Sequence, residues 1–380
     1  MTNYLPHYFQ WNSKTKFDPA LLLERDEIKL DDQHIRKNIT ARRILITGAA
    51  GSIGSELARQ ICFYQPEELI LLDNCESGLV ELESTLRFLY GNAPKMRLQY
   101  CDINDKKLVK QIFKSTSPHT VYHAAALKHV PFVENNIYYG IKTNILGTEI
   151  LAKISIKTGV EKFVFVSSDK AVQPGGSMGA TKRFAEKMIA EMQPKSTENT
   201  QFVIARFGNV LGSNGSVVNV FQKQIDKRVA LTITDPNMER FFMTPFEAGQ
   251  LLLESGASGT HGQIFVLKIG TPIRIVDLAN KMIRQNGFVP YKEIAIEFTG
   301  TRPGEKLSEI LIGKNEHQEA SHQPQISIVC SEEAGSFNTT TKYVAKFKEA
   351  VKGRDTLKLA IALRCAVPEL SLLDSSHVTP

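Results

Sequence analysis

Ile44-Leu45-Ile46-Thr47-Gly48-Ala49-Ala50-Gly51-Ser52-Ile53-Gly54 is followed, nineteen residues after Gly54, by Asp73 at the end of Leu69-Ile70-Leu71-Leu72. The first four residues predict a short buried strand. Ile53, Leu57 and Ile61 then fall on one stripe of a helix. Leu69 to Asp73 predicts a second strand, so the stretch reads as a βαβ unit with a Gly-x-x-Gly-x-x-Gly turn. Such glycines let the backbone approach a pyrophosphate, and the N-terminus of the helix offers it unpaired N–H donors. Candidate contacts in the turn are Gly48, Gly51, Ser52, Ile53 and Gly54. A carboxylate at the position of Asp73 can accept both ribose hydroxyls of NAD. Asn74 beside it is a further candidate cofactor contact; Asn74-Cys75-Glu76 supplies no cation, and a 2′-phosphate would be repelled, so NAD is expected over NADP. A glycine turn alone could be merely tight; the strand before it, the helix after it and the acid at this distance argue for a dinucleotide site.

Alternation continues outward from this unit. Leu98-Gln99-Tyr100-Cys101 leads to Asp102-Ile103, an expected adenine contact. Val121-Tyr122-His123 leads to Ala124-Ala125-Ala126, small enough for a cofactor to approach the backbone. A helix from about Tyr139 carries Asn144, a candidate cofactor contact, with Leu146, Ile150 and Ile154 on its core stripe. Residues 163–167 and 202–205 read as a fifth and a sixth strand. Repeated βα units predict an α/β fold with a doubly wound parallel sheet. The expected organisation is an N-terminal arm (1–40), an NAD-binding Rossmann-like domain (41–205) and a mainly substrate-binding part (206–380).

The fifth strand ends in Ser167-Ser168-Asp169-Lys170, then Pro174-Gly175-Gly176 breaks the chain before a helix carrying Met178 and Lys182. Met178 and Lys182 are four apart and share a face. Strand C-terminal ends are where open α/β sheets bind ligands. A carboxylic acid can protonate a leaving oxygen, and a lysine made neutral by burial can take a proton. Asp169 and Lys170 could therefore serve one elimination; the plainer alternative is an ion pair at a strand end.

The chain has 380 residues, 42% of them hydrophobic, enough for one large α/β domain or two lobes. The formal charge of +6 is scattered, with no basic block interleaved with aromatics, so nucleic acid is not expected as a partner. A small anionic substrate suits the basic excess. Cys62, Cys75, Cys101, Cys330 and Cys365 are odd in number and lack metal spacing, so free thiols, a cytoplasmic location and no metal site are expected. No apolar run reaches the ~18 residues that span a bilayer, and residues 1–6 do not read as a signal peptide. Residues 1–40 are polar, with a short helix expected over Asp31–Asn38; an edge cover and a partner contact are both open. After Arg206 loops dominate: Gly208-Asn209-Val210-Leu211-Gly212-Ser213-Asn214-Gly215-Ser216, then Arg240-Phe241-Phe242-Met243-Thr244 and Arg302-Pro303-Gly304-Glu305-Lys306. Arginines in such loops suit a diphosphate, or else surface salt bridges. Residues 263–267 are expected to return to the sheet, and 341–366 to form an amphipathic helix.

Five stretches together carry a resemblance: Ser168-Asp169-Lys170-Ala171-Val172, Met178-Gly179-Ala180-Thr181-Lys182-Arg183, Ala124-Ala125-Ala126-Leu127-Lys128-His129-Val130-Pro131, and the two arginine loops just quoted. The chain resembles an extended short-chain dehydrogenase/reductase. More narrowly it is similar to the UDP-N-acetylglucosamine 4,6-dehydratases of bacterial polysaccharide synthesis, over roughly residues 20 to 315. Many such proteins carry an N-terminal membrane domain; a soluble form is expected here. Ser168 stands where Thr is commoner and Gln173 where Asn is. Met178 occupies the place of the superfamily's Tyr, which exchanges a proton with the reacting hydroxyl; methionine cannot. The similar dehydratases also have Met, so the resemblance implies activity without the Tyr. It implies that Lys182 holds the nicotinamide ribose, Lys170 removes the carbon-5 proton, and protonated Asp169 donates to the departing carbon-6 hydroxyl. Ser168, Lys170, or a water held by Lys128 or His129 are candidates for the proton at oxygen 4. Further candidate substrate contacts are Asn209, Ser213, Ser216, Val217, Arg240, Arg302 and Glu305. A UDP-sugar substrate and a homo-oligomer are expected. A 4-epimerase and a non-catalytic nucleotide-binding protein of the same fold are the rival readings.

Overall fold

The computed structural model describes residues 19–92, 94–192, 200–260, 262–331 and 339–370. Residues 1–18 of the expected arm and 371–380 of the tail lie outside the described residues. The chain enters through two short helices, α1 (Pro19–Leu23) and α2 (Gln33–Ile39). The βαβ unit follows as β1 (Arg43–Thr47), α3 (Ser52–Phe63) and β2 (Glu68–Asp73). Ile44, Leu45 and Ile46 are all fully buried. A strand achieves that only when both faces of its sheet are covered. Then come α4 (Glu76–Tyr90), β3 (Lys95–Tyr100), α5 (Lys106–Thr116) and β4 (Thr120–His123). Local chemistry sets the ends of α5: the Asp105 carboxylate accepts from the Lys107 and Leu108 N–H groups, and Ser117 closes the helix in the left-handed region.

Two short helices, α6 (Val130–Asn135) and α7 (Ile137–Ile141), lead into a π-helical turn, Lys142–Gly147, and then α8 (Thr148–Lys157). The continuous helix expected from Tyr139 is therefore interrupted. The wider turn places Asn144 wholly inside, keeps Leu146 and Ile154 in the core, and leaves Ile150 half-buried. β5 (Lys162–Val166), α9 (Ser177–Met192) and β6 (Gln201–Arg206) complete the parallel strands in the order β3-β2-β1-β4-β5-β6. The order reverses between β1 and β4, so the crevice at their C-terminal ends is the switch point of the sheet.

The next stretch contains β7 (Asn209–Val210), α10 (Val217–Asp226), β8 (Leu231–Ile233), β9 (Glu239–Arg240), β10 (Phe242–Met243), α11 (Pro245–Ser258), β11 (Ile264–Leu267), β12 (Ile273–Arg274), α12 (Ile275–Gln285) and β13 (Ile296–Phe298). Short pairs β7·β10, β9·β12 and β8·β13 frame a separate apolar core of Leu211, Phe221, Leu231, Leu278 and Met282, into which α1 inserts Leu22. β11, in the stretch expected to return to the sheet, runs parallel to β6. Two further strands join it: β15 (Ile326–Ser331) antiparallel to β11, and β14 (Glu316–Ala320) at the edge, making nine strands among the described residues. β14 is polar, which hides it from a periodicity search and suits an exposed edge. The single helix expected over 341–366 is a pair, α13 (Thr339–Lys352) and α14 (Thr356–Ala366). Arg354, with φ 51, turns the chain, and Asp355 caps α14. The pair folds back on α9, where Phe347 meets Phe184 edge-on at 5.2 Å. Among the described residues no helix is long and apolar enough to cross a membrane.

Candidate active site

The glycine turn sits at the switch point. Gly48 has φ +68, and a Cβ there would lie 2.6 Å from the Ala125 nitrogen; a Cβ on Gly54 would lie 2.1 Å from the Gly48 carbonyl. These two glycines are demanded by the packing of the turn on β4 and α3. Gly51 caps α3, whose first N–H groups, on Ser52, Ile53 and Gly54, have no acceptor within the helix and face the crevice end. The Asp73 carboxylate, at the end of β2, accepts from Ala50 N–H and Cys75 N–H, both at 2.9 Å. It therefore shapes the turn, and each oxygen keeps a second lone pair for a ribose hydroxyl. Asn74 and Asp102 are exposed, and Asp102 accepts from the Asn104 backbone and side chain. The Ile103 side chain is turned into the core against Gly147. A contact from Ile103 to adenine is thus left to its backbone.

The Ala124–Leu127 segment is held from both sides. Ala124 N–H donates to the Thr47 carbonyl. The Asn144 amide, carried inward by the π turn, exchanges hydrogen bonds with the Leu127 N–H and carbonyl, both 2.9 Å, and donates to Thr181 Oγ1 on α9. Asn144 therefore positions this segment. Below it, His123 bridges Thr47 Oγ1 at 2.7 Å and Thr148 Oγ1 at 2.8 Å. Burial, helped by the Lys182 charge, pushes the His123 pKa down to about 3, so the ring is neutral.

The Ser168–Lys170 segment turns sharply after β5. Ser168 Oγ donates to Asp169 Oδ1 at 2.8 Å, and Lys170 Nζ donates to the same oxygen at 2.9 Å and to Asn209 Oδ1 at 3.1 Å. Asp169 is wholly buried and its Oδ2 has no hydrogen-bond partner. On the next helix a Cβ at position 179 would lie 2.2 Å from the Lys170 carbonyl, so only glycine lets α9 press against this turn. Met178 is buried beside it. Lys182 Nζ donates to the Val166 carbonyl at 2.9 Å and stands 4.7 Å over the Phe165 ring. Burial lowers its pKa to about 8, with Glu186 opposing the shift.

The loops of the second half close over this floor. Asn214 N–H donates to Ser52 Oγ at 3.0 Å, and Gly215 packs on the His129 ring. Ser213 and Ser216 share that turn, and Ser216 leads into Val217 at the start of α10. Burial, followed by the Lys170 charge, lowers the Lys128 pKa; burial and then Lys128 lower that of His129. Lys128 therefore lies near Lys170, and His129 near Lys128. Arg240 is buried and donates through Nη1 to the Glu239 and Leu307 carbonyls. Arg302 is exposed, and its N–H donates to the Glu305 carboxylate, so this pair builds the turn.

Two acids escape the sequence reading. Glu309 is buried, 3.8 Å from Lys170 Nζ and 3.3 Å from Lys306 Nζ. Lys306 in turn donates to the Val172 carbonyl. Glu134 sits beside Gly176 and Gly304 and accepts from Met178 N–H; burial raises its pKa. Its signal was helical spacing, since Val130 and Glu134 share a face one step past His129. A further network supports the floor: Arg206, fully buried, makes two bonds each to Glu186 and Glu316, and Ser167 Oγ donates to Glu186. It ties β5, β6, α9 and β14 together.

This fold and turn define a Rossmann-like protein of the extended short-chain dehydrogenase/reductase type. The chain belongs to the polysaccharide biosynthesis protein family, whose pattern matches residues 44–331. It is 45% identical over 307 residues to the probable polysaccharide biosynthesis protein EpsC of Bacillus subtilis, covering 81% of this chain and 51% of EpsC. The chain thus spans about half the length of that relative. It is 34% identical to the UDP-N-acetylglucosamine 4,6-dehydratase (inverting) of Campylobacter jejuni, covering 72% of this chain and 78% of that one. It is also 34% identical to the UDP-glucose 4-epimerase of Rickettsia rickettsii, covering 73% and 80%. Among solved structures, Pen from Bacillus thuringiensis matches with a TM-score of 0.71 at 32% identity, covering 78% of this chain and 90% of Pen. The dTDP-glucose 4,6-dehydratase DesIV of Streptomyces venezuelae, solved with NAD, shares the fold with a TM-score of 0.62 at 20% identity, covering 71% of this chain and 88% of DesIV.

Proposed function

We propose that the chain is an NAD-dependent nucleotide-sugar 4,6-dehydratase acting on UDP-N-acetylglucosamine. The observation that carries this reading is the Asp169–Lys170 pair: a wholly buried carboxyl with one oxygen on Lys170 and the other without a partner. The dehydratase and NAD-bound relatives support the class and the cofactor.

The residues fit NAD: a glycine cradle where Cβ atoms would clash, N–H groups at the start of α3, and Asp73 beside the turn. NAD held by this cradle and Asp73 would supply the hydride acceptor for sugar carbon 4 and, once reduced, the hydride donor for carbon 6. Lys182, held against the Val166 carbonyl, orients the nicotinamide ribose. The Lys170–Asp169 pair does the elimination. The ion pair and the neutral pair, amine plus carboxylic acid, contain the same number of protons. The elimination uses the neutral pair, reached when one proton passes from Lys170 Nζ to the Asp169 carboxylate along the 2.9 Å hydrogen bond that joins them. In that form the Lys170 amine takes the carbon-5 proton, and the Asp169 hydroxyl donates to the oxygen leaving carbon 6. Asn209 holds Lys170 in place, and Glu309 stabilises the ammonium that forms. Met178 packs beside the reacting centre without exchanging a proton, which speaks against the 4-epimerase reading that the Rickettsia relative raises.

Incubation with UDP-N-acetylglucosamine and NAD, followed by mass spectrometry, tests the proposal. Loss of one water is the expected result. An isobaric isomer means a 4-epimerase, and unchanged substrate defeats both.

A further inference from the structure

Where α2, α11 and the turn between β14 and β15 meet, three metal-ligating side chains converge: His34, Glu254 and His322. His34 Nδ1 is 3.0 Å from His322 Nε2, which is 2.8 Å from Glu254 Oε1; His34 Nδ1 is 3.7 Å from the same oxygen. Protons satisfy this trio poorly. A proton on His322 Nε2 serves Glu254 or His34, not both. Without it, an imidazole lone pair faces a carboxylate. Neither Glu254 oxygen has a well-formed hydrogen bond, although the side chain is fully buried.

We propose that His34, Glu254 and His322 bind one divalent transition-metal ion, with Zn2+ as the representative. A tetrahedral ion with bonds of ~2.0–2.1 Å holds its ligand atoms about 3.3 Å apart. The three observed separations bracket that value. Two imidazoles with one carboxylate suit a borderline ion such as Zn2+, whereas Mg2+ and Ca2+ prefer all-oxygen sets. The two histidine side chains are 49% and 39% exposed, so the ion has an entry path and its fourth position faces water. The ligands lie far apart in sequence and match no metal spacing, which is why reading the sequence finds no site. The ion closes a clamp between the N-terminal helix α2 and the C-terminal hairpin. One hydrogen bond already joins those segments, from Gln323 Nε2 to the Asp31 carbonyl at 3.1 Å.

The test uses the tag-free full chain, stripped with a chelator and titrated with Zn2+ against a chromophoric competitor. One ion per chain is expected, with a higher thermal midpoint when Zn2+ is added. His34→Ala and His322→Ala each weaken binding by roughly tenfold or more, as loss of a direct ligand must cost at least as much as loss of an outer-shell partner. Both lose the thermal shift; the two side chains are partly exposed, so their truncation leaves the fold intact, which circular dichroism checks. His317→Ala, in the group of exposed His317, exposed Glu319 and half-buried Cys330 on the same hairpin, binds as wild type does. Co2+ gives the visible bands of a four-coordinate site in wild type and not in the double histidine variant. Zn2+ affinity unchanged in that double variant, or no Zn2+ held by wild type against the competitor, overturns the proposal.

Discussion

Asp169→Asn separates the first half of the proposed reaction from the second. Asp169 Oδ1 accepts from Ser168 and Lys170, and an amide oxygen can take over both bonds. The new NH2 falls where Oδ2 is buried without a partner. An unsatisfied buried donor costs about 1–3 kcal/mol of stability, so the variant folds. Its chemistry changes far more. A general acid contributes ~10²- to 10⁴-fold, equivalent to about 3–5 kcal/mol on the barrier to water loss. Oxidation at carbon 4 does not use this acid. In a single turnover with excess enzyme, absorbance should therefore show reduced nicotinamide building up, while mass spectrometry shows the dehydrated sugar delayed by two orders of magnitude or more. Dehydrated product at a near wild-type rate would refute the assignment. So would a variant in which carbon-4 oxidation slows as much as water loss, since Asp169 would then be acting on the whole site.

The other predictions concern the cofactor, Met178 and Lys182. Asp73→Ala should weaken NAD binding by roughly 1–3 kcal/mol, as for a lost charged hydrogen bond, and should narrow a preference over NADP; equal wild-type affinity for both cofactors in a titration counts against the reading. Met178→Leu should keep most activity, since a volume-conserving swap usually costs under ~1.5 kcal/mol even in a core. An inert wild type rescued by Met178→Tyr would show instead that methionine marks a decayed site. The lowered pKa of Lys182, about 8 against the ordinary 10.5, has a definite sign. Between those values the unfolded chain binds more protons than the native one, so this group makes stability rise with pH across the window. The full swing is about 3 kcal/mol. Unfolding midpoints in denaturant measured from pH 7 to 10.5 should rise less steeply in Lys182→Met than in wild type; identical slopes would mean that Lys182 is not held in a desolvated site.

The parts of the fold carried by local pattern are legible in the sequence. The glycine turn, the strands built on apolar runs such as Ile44–Ile46 and Phe163–Val166, and the return of 264–267 to the sheet follow from short-range chemistry. The π turn does not show, because Leu146, Ile150 and Ile154 read as the stripe of one continuous helix, whereas the structure leaves Ile150 half-buried. β14 does not show because a solvated edge strand needs no apolar alternation. The break at Arg354 is hidden by apolar residues that continue on both sides of it. In the candidate site, the adjacent residues Ser168, Asp169 and Lys170 can be read together. The approach of Glu309 to Lys170 and the Arg206–Glu186–Glu316 network cannot, since these groups lie far apart in sequence and only the fold brings them together. Arg302 and Glu305 read as substrate contacts, and the structure has Glu305 accepting from the Arg302 N–H within the turn.

The central claim is that Lys170 removes the carbon-5 proton and Asp169 releases the carbon-6 oxygen. The measurement that tests it most directly is the isotope content of the sugar formed from UDP-N-acetylglucosamine in deuterium oxide. The account predicts a product lighter by one water that carries one deuterium at carbon 5, and no such incorporation with Lys170→Ala. A dehydrated product without solvent deuterium at carbon 5, or full incorporation by Lys170→Ala, would contradict it.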